Sequence, residues 1–181
     1  MSKAKGASLI FDGVSHSIAL IDASGKVLGT WPAYNNVDSH ATLRALPNAG
    51  YSVEDRLKPH HHAADPNGPY GSYGIIRFHV QGHPGIGLHS GRANAKHMPG
   101  AQHATMGCIR TTDLAMQKIS GMMRTMHLTT VQVKHNNVGV AHHSSIRNAH
   151  IGHVSHVHHH GGGTLHHAHS TGNRHSVSRK P

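Results

Sequence analysis

A change of composition near residue 135 limits how much of this chain can fold around a core. Residues 135–181 hold 13 of the 24 histidines and contain no acidic or aromatic residue. A segment dominated by His, Ser, Gly and Asn cannot bury enough apolar surface to offset the entropy lost on ordering. We therefore predict one folded domain over residues 1–134 and a disordered, low-complexity tail over residues 135–181.

The chain is strongly basic, with 17 Lys and Arg residues against seven Asp and Glu residues. A basic surface favours a polyanionic partner, which could be nucleic acid, anionic lipid or an acidic cell-wall polymer. Nucleic-acid binding is disfavoured because the tail lacks aromatic residues for base stacking and has a low density of Lys and Arg. No stretch approaches roughly 18 apolar residues, so no membrane span is expected. The polar start of the chain also does not resemble a signal peptide.

Short apolar runs separated by turn residues predict a mainly β domain, either a sandwich or a mixed sheet. The expected strands are 8–12, 17–22, 27–34, 51–54, 74–80, 85–89 and 128–133. Residues 55–73, which include the triple His60-His61-His62, read as a long surface loop, and residues 90–107 read as a functional loop.

One helix is predicted after residue 112. Its apolar residues recur at helical spacing and form a single stripe: Ala115, Ile119, Met122, Met123 and Met126. Thr111 or Thr112 can cap its amino terminus, and Asp113 is favourable in its first turn. The methionines are expected to pack on the core rather than to form a cofactor site.

Cys108 is the single cysteine of the chain, so an intrachain disulfide is impossible. A lone cysteine is commonly a small buried residue, but here it stands just before the predicted helix, whose dipole would stabilise a thiolate. Gly107 would let a substrate approach the backbone, where successive N–H groups could form an oxyanion hole. Arg110 adds a positive charge close in sequence. These features make Cys108 a candidate nucleophile.

A nucleophilic cysteine needs a base, and eleven histidines precede the tail. His89 differs from the others because it ends a predicted strand, where the chain opens into the loop 90–107. Catalytic residues often lie where a rigid strand meets a loop. We therefore take His89 as the candidate base.

The order and spacing of these residues resemble the motif of the L,D-transpeptidase (YkuD-like) family. In this sequence His89 is followed by fifteen residues and then by Thr105-Met106-Gly107-Cys108-Ile109-Arg110. The family has a His, a spacer of similar length, Ser or Thr, a variable residue, Gly, Cys, an aliphatic residue, and Asn or Arg. Further segments that resemble the family are Pro47-Asn48-Ala49-Gly50-Tyr51, Gly68-Pro69-Tyr70 and the strand 74–80, so that the resemblance covers about residues 8–134.

The resemblance implies acyl transfer on peptidoglycan stem peptides through a thioester on Cys108, with no cofactor. His89 would act as base and would be oriented by the backbone of Ser90. The outcome would be L,D-transpeptidation, D-amino-acid exchange or L,D-carboxypeptidation. Backbone N–H groups would hold the oxyanion, and the candidates are those of Met106, Gly107 and Cys108. Polar side chains would bind the substrate, and the candidates are Arg110, Arg92 and Thr105.

Two departures from the family pattern bear on subgroup and location. Many members have His where this chain has Met106. The missing signal peptide is shared by small L,D-transpeptidase-like effectors of type VI secretion, which act in the periplasm of competing bacteria. An effector would be made in the bacterial cytoplasm, leave through a secretion apparatus and be neutralised by an immunity protein. The sequence is compatible with that subgroup.

Two other classes of protein remain open. An NlpC/P60-type cysteine peptidase would cut the same polymer, but that class places its Cys before its His, and only His127 follows Cys108 within the domain. A His-rich metal-binding protein could use the runs His60-His61-His62 and His158-His159-His160 through their imidazoles. These runs lack the defined pair spacing of structural zinc sites, so they are weak candidates.

Overall fold

The computed structural model describes residues 6–136, which form eight strands and one α-helix. The strands are β1 (Ala7–Asp12), β2 (Ser17–Ile21), β3 (Val27–Tyr34), β4 (Gly50–Ser52), β5 (Ile75–Arg77), β6 (Gly87–His89), β7 (Ile109–Thr111) and β8 (Leu128–Lys134). The helix α1 is Asp113–Met123, and a 3-10 turn covers Gly100–Gln102. No helix in this part of the chain is long and apolar enough to cross a membrane. The predicted tail lies outside the described residues, apart from its first two, so the domain boundary stays a prediction.

Two aspartates shape the turns that join the first three strands. Asp12 Oδ1 accepts hydrogen bonds from the N–H groups of Val14 (2.9 Å) and Ser15 (3.0 Å) at the end of β1. Asp22 Oδ1 does the same for Ser24 and Lys26 after β2. Such local carboxylate bonds favour a turn over a continued strand. The three predicted amino-terminal strands and both turns are confirmed.

The eight strands form one mixed sheet in the order β4-β8-β1-β2-β3-β7-β6-β5. The pairs β1–β8 and β6–β7 are parallel, and the other pairs are antiparallel. The sheet curls until its two edges meet, because Glu54 N–H donates to Arg77 O (2.9 Å) and His79 N–H donates to Ser52 O (2.9 Å). The predicted mainly β fold with a mixed sheet and one helix after Cys108 is confirmed.

The helix packs its apolar face on the core that the sheet encloses. Thr112 is its N-cap and accepts a hydrogen bond from Ala115 N–H (3.2 Å), as one of the two predicted caps. The fully buried residues of the helix are Ala115, Met116, Ile119 and Met123. Met122 and Met126 are partly buried against the same core. The predicted apolar stripe is therefore confirmed, with Met116 as an additional member.

Three strands that border the long loops are shorter than expected. β5 covers residues 75–77, whereas 74–80 was predicted. β6 covers 87–89 instead of 85–89, and β4 covers 50–52 instead of 51–54. Gly74 (φ 74°) and Gly85 (φ 82°) have positive φ angles, which are incompatible with extended strand backbone. Gly74 therefore lies directly before β5, and Gly85 lies two residues before β6.

A buried amide ties three distant segments together. Asn35 follows β3, and its Nδ2 donates to the carbonyl oxygens of Gly107 (2.8 Å) and Cys108 (3.0 Å). Its Oδ1 accepts from Leu46 N–H (2.7 Å) and from Asn136 Nδ2 (2.8 Å). One side chain thus satisfies four polar groups and holds the backbone on both sides of the Gly107–Cys108 bond.

Asn35→Ala should lower the free energy of unfolding by about 2–4 kcal/mol, because it leaves several buried polar groups without partners. Urea denaturation of the wild type and the variant measures this change. Asn36→Ala is the matched control, because the Asn36 side chain also donates to a distant carbonyl, that of Gln102, but in an exposed position. This substitution should lower the free energy of unfolding by less than about 1 kcal/mol. Equal costs for the two variants would show that Asn35 does not organise this region.

Candidate active site

The register of two parallel strands brings the candidate base to the candidate nucleophile. β6 pairs with β7 so that Leu88 lies opposite Ile109 and His89 lies opposite Arg110. Side chains two residues apart in an extended segment point to the same face, so Cys108 and Arg110 share a face with His89. Cys108 is 8% exposed and His89 is 3% exposed.

These residues line a small cavity of about 210 Å³. The full lining is Asp38, Pro69, Tyr70, His89, Ala104, Thr105, Met106, Cys108 and Arg110. Five residues singled out in the sequence therefore meet at one place: His89, Thr105, Met106, Cys108 and Arg110. Asp38, Pro69, Tyr70 and Ala104 were not singled out as site residues: the first three lie on segments distant in sequence from the motif, and Ala104 lies in its variable spacer.

Cys108 does not stand at the amino terminus of the helix, and that expectation is wrong. Strand β7 follows Cys108 directly, and α1 begins only at Asp113. The dipole effect falls off within the first turn of a helix, so it does not stabilise a thiolate here. Burial raises the pKa of the Cys108 thiol, opposed by a hydrogen bond from the backbone of Gly87 and by the charge of Arg110. The resting sulfur is a protonated thiol, 3.9 Å from Gly85 O.

His89 has a defined tautomer. Its Nδ1 lies 2.7 Å from the carbonyl oxygen of Ser90. A carbonyl oxygen can only accept, so Nδ1 carries the proton and Nε2 has the free lone pair. Burial lowers the pKa of His89 to about 4, and the nearby charge of Arg110 adds to this effect. At neutral pH the ring is therefore an uncharged base, and it meets the ring of Tyr70 edge to face with 5.2 Å between the ring centres.

Ser90 connects the base to the first turn of the helix. Its carbonyl accepts from His89, while its hydroxyl donates a short hydrogen bond to the carboxylate of Asp113. Asp113 also accepts from the backbone N–H of Ser72 (3.1 Å) and from its hydroxyl. Gly71 passes so close that an added Cβ would lie 2.0 Å from Ser90 Oγ. From the sequence, Asp113 was expected only in the first turn of the helix, because no local pattern links it to Ser72 or Ser90.

The loop before Cys108 presents two free backbone donors. The N–H groups of Met106 and Cys108 make no hydrogen bond within residues 6–136, whereas Gly107 N–H donates to Thr105 Oγ1 (3.2 Å). The Thr105 hydroxyl in turn donates to Cys108 O (2.7 Å), so Thr105 braces the loop. Gly107 has φ 127°, a conformation that only glycine adopts without strain. Two of the three predicted oxyanion donors are thus available to a ligand.

Arg110 is a buried cation that lines the cavity and has no salt-bridge partner within residues 6–136. It is 5% exposed, and its Nε and Nη1 atoms have no hydrogen-bond partner among the described residues. A buried guanidinium without partners is costly, so it favours an anion beside it. Arg92 does not line this cavity; it is exposed and borders a separate depression with Asn67, Asn94 and His103.

The histidine run at residues 60–62 lies elsewhere, around a larger depression of about 670 Å³. Within residues 6–136 no group of three His, Cys, Asp or Glu side chains could hold a metal ion. His62 stacks on Tyr70 at 3.9 Å between ring centres, and Tyr70 meets His89. The weak metal candidates His158, His159 and His160 lie outside the described residues.

The low pKa of His89 predicts a pH-dependent loss of stability. His89 binds a proton near pH 6.5 in the unfolded chain but only near pH 4 in the folded chain. The stability that comes from keeping this ring neutral is therefore fully present above pH 6.5 and is lost as the pH falls towards 4. Between pH 7 and pH 5 the wild type should lose about 2 kcal/mol more of its unfolding free energy than His89→Gln. Urea denaturation at both pH values measures this difference. The control His97→Gln replaces an exposed ring and should follow the wild type; the same pH dependence in all three proteins would contradict the prediction.

Comparison with known proteins identifies similar folds and no close relative. No protein-family model and no curated protein matches the sequence. Among solved structures, the helical cell shape determining protein Pgp2 from Campylobacter jejuni is 12% identical with a TM-score of 0.52, and Bd1075 from Bdellovibrio bacteriovorus is 14% identical with a TM-score of 0.51. Each alignment covers 72% of this chain and 48% of the other chain.

Proteins named as L,D-transpeptidases are also among the similar structures. L,D-transpeptidase 1 from Mycobacterium tuberculosis is 14% identical, with a TM-score of 0.46 over 72% of this chain and 62% of that chain. The present chain thus matches 48–62% of the length of these proteins. It has the fold of Pgp2 and Bd1075, and its structural neighbours include L,D-transpeptidases.

Proposed function

We propose that this chain is a cysteine acyltransferase that acts on peptidoglycan stem peptides, with Cys108 as nucleophile and His89 as base. The observation that carries the proposal is their position in one cavity, with His89 Nδ1 engaged by Ser90 O and Nε2 making no hydrogen bond within residues 6–136. The motif from His89 to Arg110 supports the L,D-transpeptidase type of chemistry. A fold shared with a cell shape determining protein agrees with a substrate in the cell wall.

The first step forms a thioester. Because burial keeps both the thiol and the imidazole neutral, His89 Nε2 takes the Sγ proton as sulfur attacks the carbonyl between the diamino acid and the terminal D-alanine. The N–H groups of Met106 and Cys108 receive the developing oxyanion. The C–N bond then breaks, D-alanine leaves with the proton from His89, and the acyl group remains on Cys108.

The second step releases the acyl group. Water or an amine attacks the thioester, His89 accepts its proton, and this proton returns to the Cys108 sulfur as the C–S bond breaks. Water gives L,D-carboxypeptidation. A free D-amino acid gives exchange, and the side-chain amine of a second stem gives transpeptidation.

Arg110 would bind a carboxylate of the substrate. It lacks an anionic partner within residues 6–136 and lines the same cavity as Cys108. A charge-assisted bond from a guanidinium to the terminal carboxylate would place the preceding peptide bond near the sulfur. A bound substrate would thereby supply the anion that residues 6–136 do not.

We propose the cell wall, in the periplasm, as the place of action. Delivery as a type VI secretion effector, with a matching immunity protein, stays a prediction because none of the described residues bears on it. The alternative of an NlpC/P60-type peptidase would need His127 as base. His127 does not line the cavity, and its carbonyl instead accepts from Ala7 N–H (2.7 Å).

Cys108→Ala should abolish the reaction while the fold is retained. We expect purified wild type to remove D-alanine from tetrapeptide stems, or to replace it with another D-amino acid, and the variant to lose at least about 1000-fold in rate. Mass spectrometry of muropeptides after incubation measures both products. Met106→Ala is the matched control, because it keeps the backbone N–H and should stay within about tenfold of wild type. An unchanged rate in Cys108→Ala would refute the proposed chemistry.

A further inference from the structure

We propose that Asp38 binds a primary ammonium group of the substrate, so that Asp38 and Arg110 together select a ligand carrying one positive and one negative charge. The inference rests on the proposed function, since it concerns the same cavity. It adds a specificity-determining residue that lies outside the motif from His89 to Arg110.

The backbone fastens Asp38 to the loop that carries Cys108. Asp38 N–H donates to Thr105 O (2.8 Å), and Thr105 N–H donates to Asn36 O (2.8 Å). These bonds form a short parallel bridge between Val37 and Thr105. Asp38 is therefore held beside the segment whose Met106 and Cys108 N–H groups are free, and it lines the same cavity.

The carboxylate of Asp38 has one free oxygen. Its Oδ1 lies 2.8 Å from His40 N–H and 2.9 Å from His40 Nδ1. Its Oδ2 makes no hydrogen bond to residues 6–136. The hydrogen bond from the backbone of His40 contributes most to holding the pKa of Asp38 below its usual value. The group is therefore ionised at neutral pH and can accept a further donor.

The charges of the cavity are separated by depth. Asp38 is the one acidic residue of the lining, and its side chain is 45% exposed. Arg110 is 5% exposed, and His89 is neutral at pH 7. A ligand that matches this arrangement places a carboxylate deep, at Arg110, and a cation nearer the opening, at Asp38.

A primary ammonium fits Asp38 better than a larger cation. The cavity holds about 210 Å³, and an ammonium is a compact point charge with three donors. Under the proposed function two ammonium groups could reach it. One is the free amine on the side chain of the diamino acid in the donor stem; the other is the amine of an incoming D-amino acid.

Asp38→Asn tests the inference, because it keeps an oxygen for His40 N–H and removes only the charge. The probes are two synthetic tetrapeptide stems that differ only in whether the side-chain amine is free or acetylated. Acylation of Cys108 without an acceptor is followed by intact-protein mass spectrometry, and exchange is followed with a free D-amino acid. Glu54→Gln removes one negative charge outside the cavity and is the matched control.

We expect Asp38→Asn to raise the KM for the free-amine stem about tenfold, with a smaller change in kcat, and to leave the acetylated stem unchanged. If Asp38→Asn slows the acylation of Cys108, the ammonium that Asp38 binds belongs to the donor stem. If the variant slows only the exchange reaction, this ammonium belongs to the incoming amino acid. Unchanged acylation and exchange in Asp38→Asn, or equal losses of acylation with the free-amine and acetylated stems, would overturn the inference. If wild type acylates neither stem at Cys108, the proposed function itself fails.

Discussion

The parallel pairing of β6 with β7 is the constraint on which the candidate site depends. It sets His89 opposite Arg110 and places Cys108 two residues before Arg110 on the same face. A shift of one residue would turn one set of side chains to the opposite face and separate the base from the sulfur. Asn35 supports this register from the other side by holding the carbonyl oxygens of Gly107 and Cys108.

Burial decides the charge state of the pair that this register creates. Both side chains are nearly enclosed, so the uncharged thiol and the uncharged imidazole are favoured over an ion pair. The site therefore differs from a cysteine whose thiolate is stabilised in advance by a helix terminus. The Cys108 thiol must therefore transfer its proton to His89 during the attack. The hydrogen bonds that link His89 to Ser90, and Ser90 to Asp113, hold His89 in the required tautomer.

Local sequence signals predicted much of the fold. The Asp12-Gly13 turn, the turn after Asp22 and the capped apolar stripe of α1 each depend on residues close together in the chain, and all three are observed. The pairing of Cys108 with His89 was implied by the resemblance of the motif to the L,D-transpeptidase family, and both side chains line one cavity.

Contacts between segments distant in sequence could not be predicted. Residues 109–111 look like the approach to a helix, yet they form a strand because β3 and β6 stand on either side with unpaired edges. Asp113 bonds Ser72 across 41 residues, and Asp38 joins the cavity only through its backbone bond to Thr105. None of these pairings leaves a periodic or local pattern.

The pH dependence of alkylation at Cys108 tests the neutral pair most directly, and the chain has no other cysteine to obscure the signal. The rate with iodoacetamide reports the thiolate fraction. A neutral pair predicts a rate that stays low at pH 5–7 and rises only above the usual thiol range, about pH 8.5. A reactive plateau at pH 5–7 that disappears in His89→Gln would instead reveal a preformed thiolate–imidazolium pair and contradict the account.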